Sequence, residues 1–144
     1  MLSFFGVKIV ENSDSINDTF YENTIPIELE KTLRSLGILP IFRGYQYILD
    51  AELMIIEDSN RIFILANEVY PSVAARYFTT ASRVERAIRH AIEISWSWCG
   101  EGSLKKQYAH DLFIPTNKQF LDFLHQRILE SIQSNTVISS DCLT

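Results

Sequence analysis

The sequence predicts an all-α fold of about six helices packed round one core, with a helix-turn-helix motif near its middle. Apolar residues recur at intervals of three and four in residues 29–36 and 84–92, as along helices that bury one side. Gly37, Pro40 and Pro71 separate the apolar segments. No apolar run approaches the ~20 residues that a membrane-spanning helix needs. The pattern is therefore typical of one globular helical domain.

Three segments are expected along the chain: residues 1–24, the helical domain at residues 25–133, and a Ser/Thr-rich tail at residues 134–144 that should fray. The apolar residues 1–10 are predicted to form a short strand or extended arm, on the domain or on a partner, with a disordered start as the alternative. Acidic residues follow directly, which argues against a signal peptide. Residues 11–24 are predicted to be an acidic linker or solvated loop.

The first two helices of the domain are delimited by glycine and proline. A helix is predicted from Ile25, with leucines spaced by four and three, and Gly37 should stop it. Pro40 enforces a break. Gly44 then opens a second helix, which is expected to run to Ile56.

Short polar side chains predict the next boundaries. Residues 58–60 should form a turn that caps a third helix over residues 61–69. Pro71 disfavours helix at Tyr70 before it, and it suits the first turn of a following helix that is expected to reach Phe78. A last helix should start at residues 115–117, with a broad apolar face supplied by Phe120, Leu121, Phe123, Leu124, Ile128 and Leu129.

The segment from Tyr70 to Trp96 is predicted to hold the helix-turn-helix. Its second helix has an apolar stripe made of Val84, Ala87, Ile88, Ala91 and Ile92, which must be buried. The opposite side carries Ser82, Arg83, Arg86, Arg89 and His90. Residues 71–90 contain four arginines and one acid, in a chain whose net charge is −5.

Two interpretations of this polar face are open. An amphipathic helix with arginines on its solvent-exposed face commonly has no binding function. Crowded arginines with too few acids nearby, however, indicate that an anion is expected. Arginine pairs bidentately with phosphate and with guanine O6 and N7, so DNA is the leading candidate partner.

The start of the second helix depends on its cap. Ser82 and Glu85 have the spacing of a capping box, and Thr80 is the rival N-cap. Glu85 therefore has two candidate roles, as a structural capping acid or as an acceptor for cytosine N4.

The run TTASRVERAIRHAIE at residues 79–93 closely resembles the C-terminal DNA-binding domain of the stage-zero sporulation response regulator, the master transcription factor of endospore-forming bacteria. The resemblance extends back through residues 36–38 and 43–47 and forward to residues 115–117 and Phe120. It covers roughly residues 25–133. It implies an all-α effector domain that binds double-stranded DNA at a short promoter box and regulates transcription in sporulation.

The resemblance also implies roles for individual residues. Arg86 and Arg89 are the leading candidates for reading the groove, and the matching positions that should meet phosphates or bases are Thr80, Ser82, Arg83, Glu85 and His90. Lys105 and Lys106 either sit over phosphates or are merely solvated.

Family members bind tandem boxes as paired domains, which leaves a homodimer open, and they contact the sigma subunit of RNA polymerase. Residues 97–114 diverge from the family in the sigma-contacting region, and this weakens that expectation. The 144-residue chain has no room for the family's receiver domain, so a receiver-less homologue is expected.

No cofactor, metal site or enzymatic activity is expected. Cys99 and Cys142 have no metal spacing and the histidines are scattered, which favours a reducing cytoplasm and no ligand cluster. The alternative to a DNA-binding regulator is an interaction module that keeps the fold and antagonises the full-length regulator. Its motivation is residues 11–60, with ten acidic and three basic residues, because such a segment repels DNA unless it faces away.

Overall fold

The predicted all-α architecture is confirmed in the computed structural model, which describes residues 3–4, 7–8, 15–98, 100, 102–108 and 113–141. The helices are α1 (Ser15–Ser35), α2 (Arg43–Glu57), α3 (Tyr70–Arg76), α4 (Ala81–Ser97), α5 (Leu104–Gln107) and α6 (Asn117–Asp141). Two short strands, β1 (Ser3–Phe4) and β2 (Val7–Lys8), pair antiparallel. Among the described residues no helix is long and apolar enough to cross a bilayer.

The two ends of the chain are more regular than their composition suggests. Helix α1 begins at Ser15, so residues 15–24 are helical where a linker was predicted. Helix α6 continues to Asp141, so most of the predicted tail is helical too. Both segments lack a continuous apolar stripe, which was the signal used for helix. Strand β2 lies against α2 of its own chain, so at least this part of the predicted arm lies on the domain.

Gly37 ends α1 as predicted. It has a left-handed backbone with φ of 84°, which glycine adopts without penalty. The Ile38 N–H donates to the Leu33 carbonyl at 2.9 Å, and the Gly37 N–H donates to the Arg34 carbonyl at 3.0 Å. This is the Schellman arrangement, in which two carbonyls at the end of a helix are satisfied by the chain that follows.

The third helix predicted over residues 61–69 is wrong as an α-helix. The chain forms a 3-10 turn (Ser59–Phe63) and then a π-helical turn (Leu65–Val69) that runs directly into α3. The Asp58 side chain does accept from the Asn60 N–H at 3.1 Å, as expected for a capping turn. Pro71 lies in the first turn of α3 without terminating a preceding helix, so α3 begins at Tyr70.

Helix α2 runs through the centre of the domain and packs against α4 and α6. The predicted stripe of α4 is confirmed: Val84, Ile88, Ala91 and Ile92 are buried and Ala87 is half-buried. Helix α6 contributes Phe120, Leu121, Leu124 and Ile128 to the same core, whereas Leu129 is exposed. The core therefore fixes which side of α4 remains in water.

A glycine sets the distance between α2 and α4. A Cβ atom added at Gly44 would lie 2.3 Å from the Ala87 carbonyl oxygen and 3.0 Å from the Ala91 Cβ atom. The first distance is shorter than real Cβ atoms show and the second is unusually tight, so only glycine lets the two backbones approach this far.

One polar pair is enclosed between α2 and α6. Glu52 is fully buried, His125 is nearly so, and the His125 Nδ1 atom lies 3.0 Å from Glu52 Oε1. The second carboxylate oxygen, Oε2, has no hydrogen-bond partner among the described residues. Burial raises the pKa of Glu52 to about 7, although the hydrogen bond from His125 opposes the shift. The hydrogen bond to Glu52 raises the pKa of His125.

Substitution of Gly44 by alanine is expected to lower the free energy of unfolding by about 1–3 kcal/mol, because α2 and α4 must move apart. Urea denaturation would measure the change. Gly102→Ala is the matched control, since a Cβ atom there would come no closer than 3.4 Å to its nearest neighbour, the Ser35 carbonyl oxygen. Equal stability of the two variants would contradict the proposed role of the crossing.

The Glu52–His125 pair predicts a pH dependence. Both pKa values are raised in the folded state, so the fold retains protons that the unfolded chain releases. The stability from the pair should be fully present below about pH 4.5 and lost as pH rises through about 7. Glu52→Gln should reduce the stability difference between pH 5 and pH 8 by on the order of 1–3 kcal/mol. Urea denaturation across this range tests it, with Glu30→Gln on the exposed side of α1 as control, and an unchanged difference would contradict it.

Candidate nucleic-acid interface

The N-terminus of α4 is capped by Thr80. Its backbone is extended, and its Oγ1 atom accepts a hydrogen bond from the Arg83 N–H at 3.3 Å. The rival prediction for the cap is therefore confirmed, and the capping box of Ser82 and Glu85 is wrong. Ser82 lies inside the first turn of α4 with its side chain exposed, because the helix starts one residue before it.

Contacts from several elements hold α4 in place. Asn117 of α6 donates from Nδ2 to the Glu85 carbonyl at 3.0 Å. Near the other end of α4, the buried Ser95 hydroxyl donates to the carbonyl of Leu36, just after α1. With the α2 crossing at Gly44 between them, these contacts fix the direction in which the polar face of α4 points.

The polar face of α4 forms one wall of a groove of about 820 Å³. The other wall is the chain that leads into α2, residues 41–44. The ionisable side chains that line the groove are Arg43, Arg83, Arg86, Arg89, His90 and Glu93. Four of these are arginines, so the groove attracts anions. An open groove with a cationic helix as one wall is suited to a polyanion rather than to a small enclosed ligand.

Arg43 lines the groove although it was not among the residues predicted from the sequence. It immediately precedes Gly44, and the close crossing at Gly44 is what brings this part of α2 beside α4. In the sequence, Arg43 is recognisable only as a charged residue directly before a glycine. The sequence does not show that this glycine packs against α4.

The arginines of α4 differ in their neighbours. Glu85 forms an ion pair with Arg89, four residues on. Glu93 Oε2 lies 4.0 Å from His90 Nδ1. The sequence predicted that the arginines of α4 have too few acids near them. This is wrong for Arg89, which Glu85 neutralises. Arg83 and Arg86 are exposed and form no ion pair with any described residue, so they are the cations available to a partner.

Residues 29–128 match the family model described as "Sporulation initiation factor Spo0A C terminal". The chain belongs to this family. The matched region begins within α1, ends within α6 and includes the helix-turn-helix. The Spo0A C-terminal family is a sporulation-related, DNA-binding regulatory domain family. No group of three or more metal-ligating side chains occurs in the part of the chain that the structure describes.

The two candidate lysines lie away from the groove that α4 lines. Lys105 and Lys106 are on α5, which packs at the C-terminal end of α4, and the Lys105 Nζ atom lies 6.0 Å from the centre of the Trp96 ring. Trp96 is about 15 Å along the helix axis from Arg86, at 1.5 Å per residue. The lysines do not line the groove, and the structure does not bring them together with the other candidates. Cys99, His110 and Cys142 lie outside the described residues.

The turn before α4 is anchored to the core by a buried acid. Asp50 of α2 accepts hydrogen bonds from the Tyr77 hydroxyl at 2.5 Å and from Gln46 Nε2 at 3.1 Å. Arg76 lies beside it, with Nε 3.8 Å from Asp50 Oδ2. Burial raises the pKa of Asp50, while these hydrogen bonds oppose the shift. Helix α3 ends at Arg76, two residues earlier than the predicted end at Phe78, so the turn begins at Tyr77. Asp50 therefore holds the first residue of the turn.

Proposed function

We propose that the protein is a sequence-specific DNA-binding transcriptional regulator linked to sporulation, with α4 in the major groove of a short promoter box. The single observation that carries the proposal is that Arg83 and Arg86 are exposed on one face of a helix-turn-helix of this family and form no ion pair within the described part of the chain. The second helix of this motif presents its N-terminal residues to base edges. Both arginines lie in the first two turns of α4.

Each candidate residue has a role that its surroundings support. Arg86 is free to pair bidentately with guanine O6 and N7. Arg89 is the second groove-reading arginine, and its ion pair with Glu85 orients both side chains. Glu85 can then accept from cytosine N4 while it holds Arg89.

The remaining side chains of the groove suit the phosphate backbone. Thr80, Ser82 and Arg83 surround the N-terminus of α4, where the helix dipole and free N–H groups favour an anion. His90 follows one helical turn after Arg86, and Arg43 faces the groove from the opposite wall. The lysines of α5 would reach a phosphate only where the duplex passes the C-terminal end of α4.

Burial reduces the weight of the interaction-module alternative. That alternative rests on the excess of acids in residues 11–60. Asp50 and Glu52 belong to this excess, but both are buried and engaged inside the domain. They contribute little to the charge that a duplex would meet. Two further partnerships belong to the proposal: pairing of two domains on tandem boxes, and contact with the sigma subunit of RNA polymerase, both in the cytoplasm.

Salt dependence of binding tests the proposed function. If one domain neutralises on the order of 3–5 phosphates, the log–log slope of affinity against salt concentration should be about −3 to −4.5. Fluorescence anisotropy with a labelled duplex that carries a sporulation-type promoter box measures this slope, and a scrambled duplex measures non-specific binding. If neither duplex shows salt-dependent binding, the regulator is excluded and the interaction module takes its place.

Arg86→Ala should weaken binding to the cognate box by about 1–3 kcal/mol and leave binding to scrambled DNA nearly unchanged, because a base-reading arginine supplies specificity. The same anisotropy titrations at fixed salt measure both affinities. Lys31→Ala is a charge-matched control, since Lys31 lies on α1 in an ion pair with Glu28, away from the groove. Equal losses on the two duplexes would assign Arg86 to the backbone instead.

A further inference from the structure

Phe78 has an unusual backbone conformation for its residue type. Its φ is 53°, in the left-handed region, and it is the one described non-glycine residue with positive φ. For a bulky L-residue this conformation is strained, since Cβ approaches the backbone. The surroundings enforce it: the Thr79 N–H donates to the Ala74 carbonyl at 3.0 Å, and the Tyr77 hydroxyl is held by buried Asp50.

The end of α1 also requires a residue in the left-handed conformation, and there the residue is Gly37. Phe78 and Gly37 both follow a helix in the left-handed conformation, and after each of them an N–H returns to a carbonyl five residues earlier. Glycine is the residue that this position favours, and Gly37 supplies it after α1. At the end of α3 the position holds phenylalanine, which adds strain where glycine would remove it.

The Phe78 side chain has no stabilising contact within the described part of the domain that would offset this strain. It is 99% exposed and makes no ring or cation contact with any described residue. Phe63 is a useful contrast, because it is also exposed but has the Lys118 Nζ atom 4.8 Å from its ring centre. A strained backbone and an exposed phenyl ring are both unfavourable in the free protein, and such features persist at sites where a partner uses them.

The position of Phe78 identifies that partner. The next residue, Thr79, lines the cationic groove, and Thr80 caps the recognition helix. Arg83, one turn into α4, is exposed and without an ion pair among the described residues. A partner that covers this part of the surface must therefore be anionic and also present apolar groups. The rim of the DNA major groove has both, because phosphates alternate with deoxyribose, and thymine carries a methyl group at its edge.

We propose that Phe78 is a DNA-contacting residue that packs its ring against apolar C–H groups at the rim of the major groove, and this inference rests on the proposed function. The groups are those of deoxyribose or the C5-methyl of thymine. The left-handed backbone points the ring outward from the turn, and the Tyr77–Asp50 hydrogen bond keeps the turn in that state. The contact adds affinity without neutralising a phosphate.

Phe78→Gly tests the contact, because it removes the ring and relieves the strain together. The variant should bind the promoter box about 3–10-fold more weakly than the unaltered protein. Its melting temperature should not fall, and we expect a rise of up to about 4 °C. The log–log salt slope should stay the same, since no phosphate contact is lost. Phe78→Tyr keeps the ring and should bind as the unaltered protein does.

Two controls complete the design. Phe63→Gly removes an exposed ring outside the groove and should leave the affinity unchanged. Replacing thymines of the box by uracil, one at a time, separates the two C–H sources. Loss of affinity at one position in the unaltered protein, but not in Phe78→Gly, identifies the methyl group, and no loss at any position identifies deoxyribose.

The inference is overturned if Phe78→Gly binds the box as tightly as the unaltered protein, and the proposed function then still stands. The inference is also overturned if Phe78→Gly weakens binding and makes the log–log salt slope less negative. Such a change would mean that a phosphate contact is lost, so the turn would only position Arg83. If the unaltered protein binds no duplex, the proposed function and this inference both fail.

Discussion

The close approach of α2 to α4 is the constraint on which the rest of the interface depends. Gly44 permits it, because any side chain at this position would meet the Ala87 carbonyl. The approach buries the apolar stripe of α4 and also places Arg43 across the groove from the arginines of α4. The stability of the domain and the shape of the cationic groove therefore both depend on the close backbone contact between Gly44 and Ala87.

The acids on α4 pair with some of its cationic side chains and not with others. Glu85 engages Arg89, whereas Arg83 and Arg86 remain without an acid partner among the described residues. An exposed i,i+4 pair contributes only a few tenths of a kcal/mol to stability, so its main effect is to orient the two side chains. Arg83 and Arg86 are therefore the arginines of α4 that are available to an anionic partner.

Buried polar groups define the geometry of the turn and of the core. Asp50 links α2 to the start of the turn, and the Glu52–His125 pair links α2 to α6. Hydrogen bonds of this kind have a required direction, so they specify one packing arrangement where apolar contacts would tolerate several. Strain at Phe78 is possible because the turn around it is fixed in this way.

The sequence by itself determined the all-α class, the buried stripe of α4 and the stop at Gly37, because periodicity and chain punctuation act within one or two helical turns. The family followed from the resemblance of residues 79–93 to a known domain, not from these local patterns. The Glu85–Arg89 pair was not predicted, although residues four apart on a helix are neighbours and the spacing would have allowed the prediction. The prediction was wrong for residues 15–24, where the helix has no continuous apolar stripe. It was also wrong for residues 61–69, where 3-10 and π turns replace an α-helix. Only the tertiary structure decided that Arg43 faces α4 and that Asp50 anchors the turn. These contacts join residues tens of positions apart, so they depend on how the helices pack rather than on any local pattern.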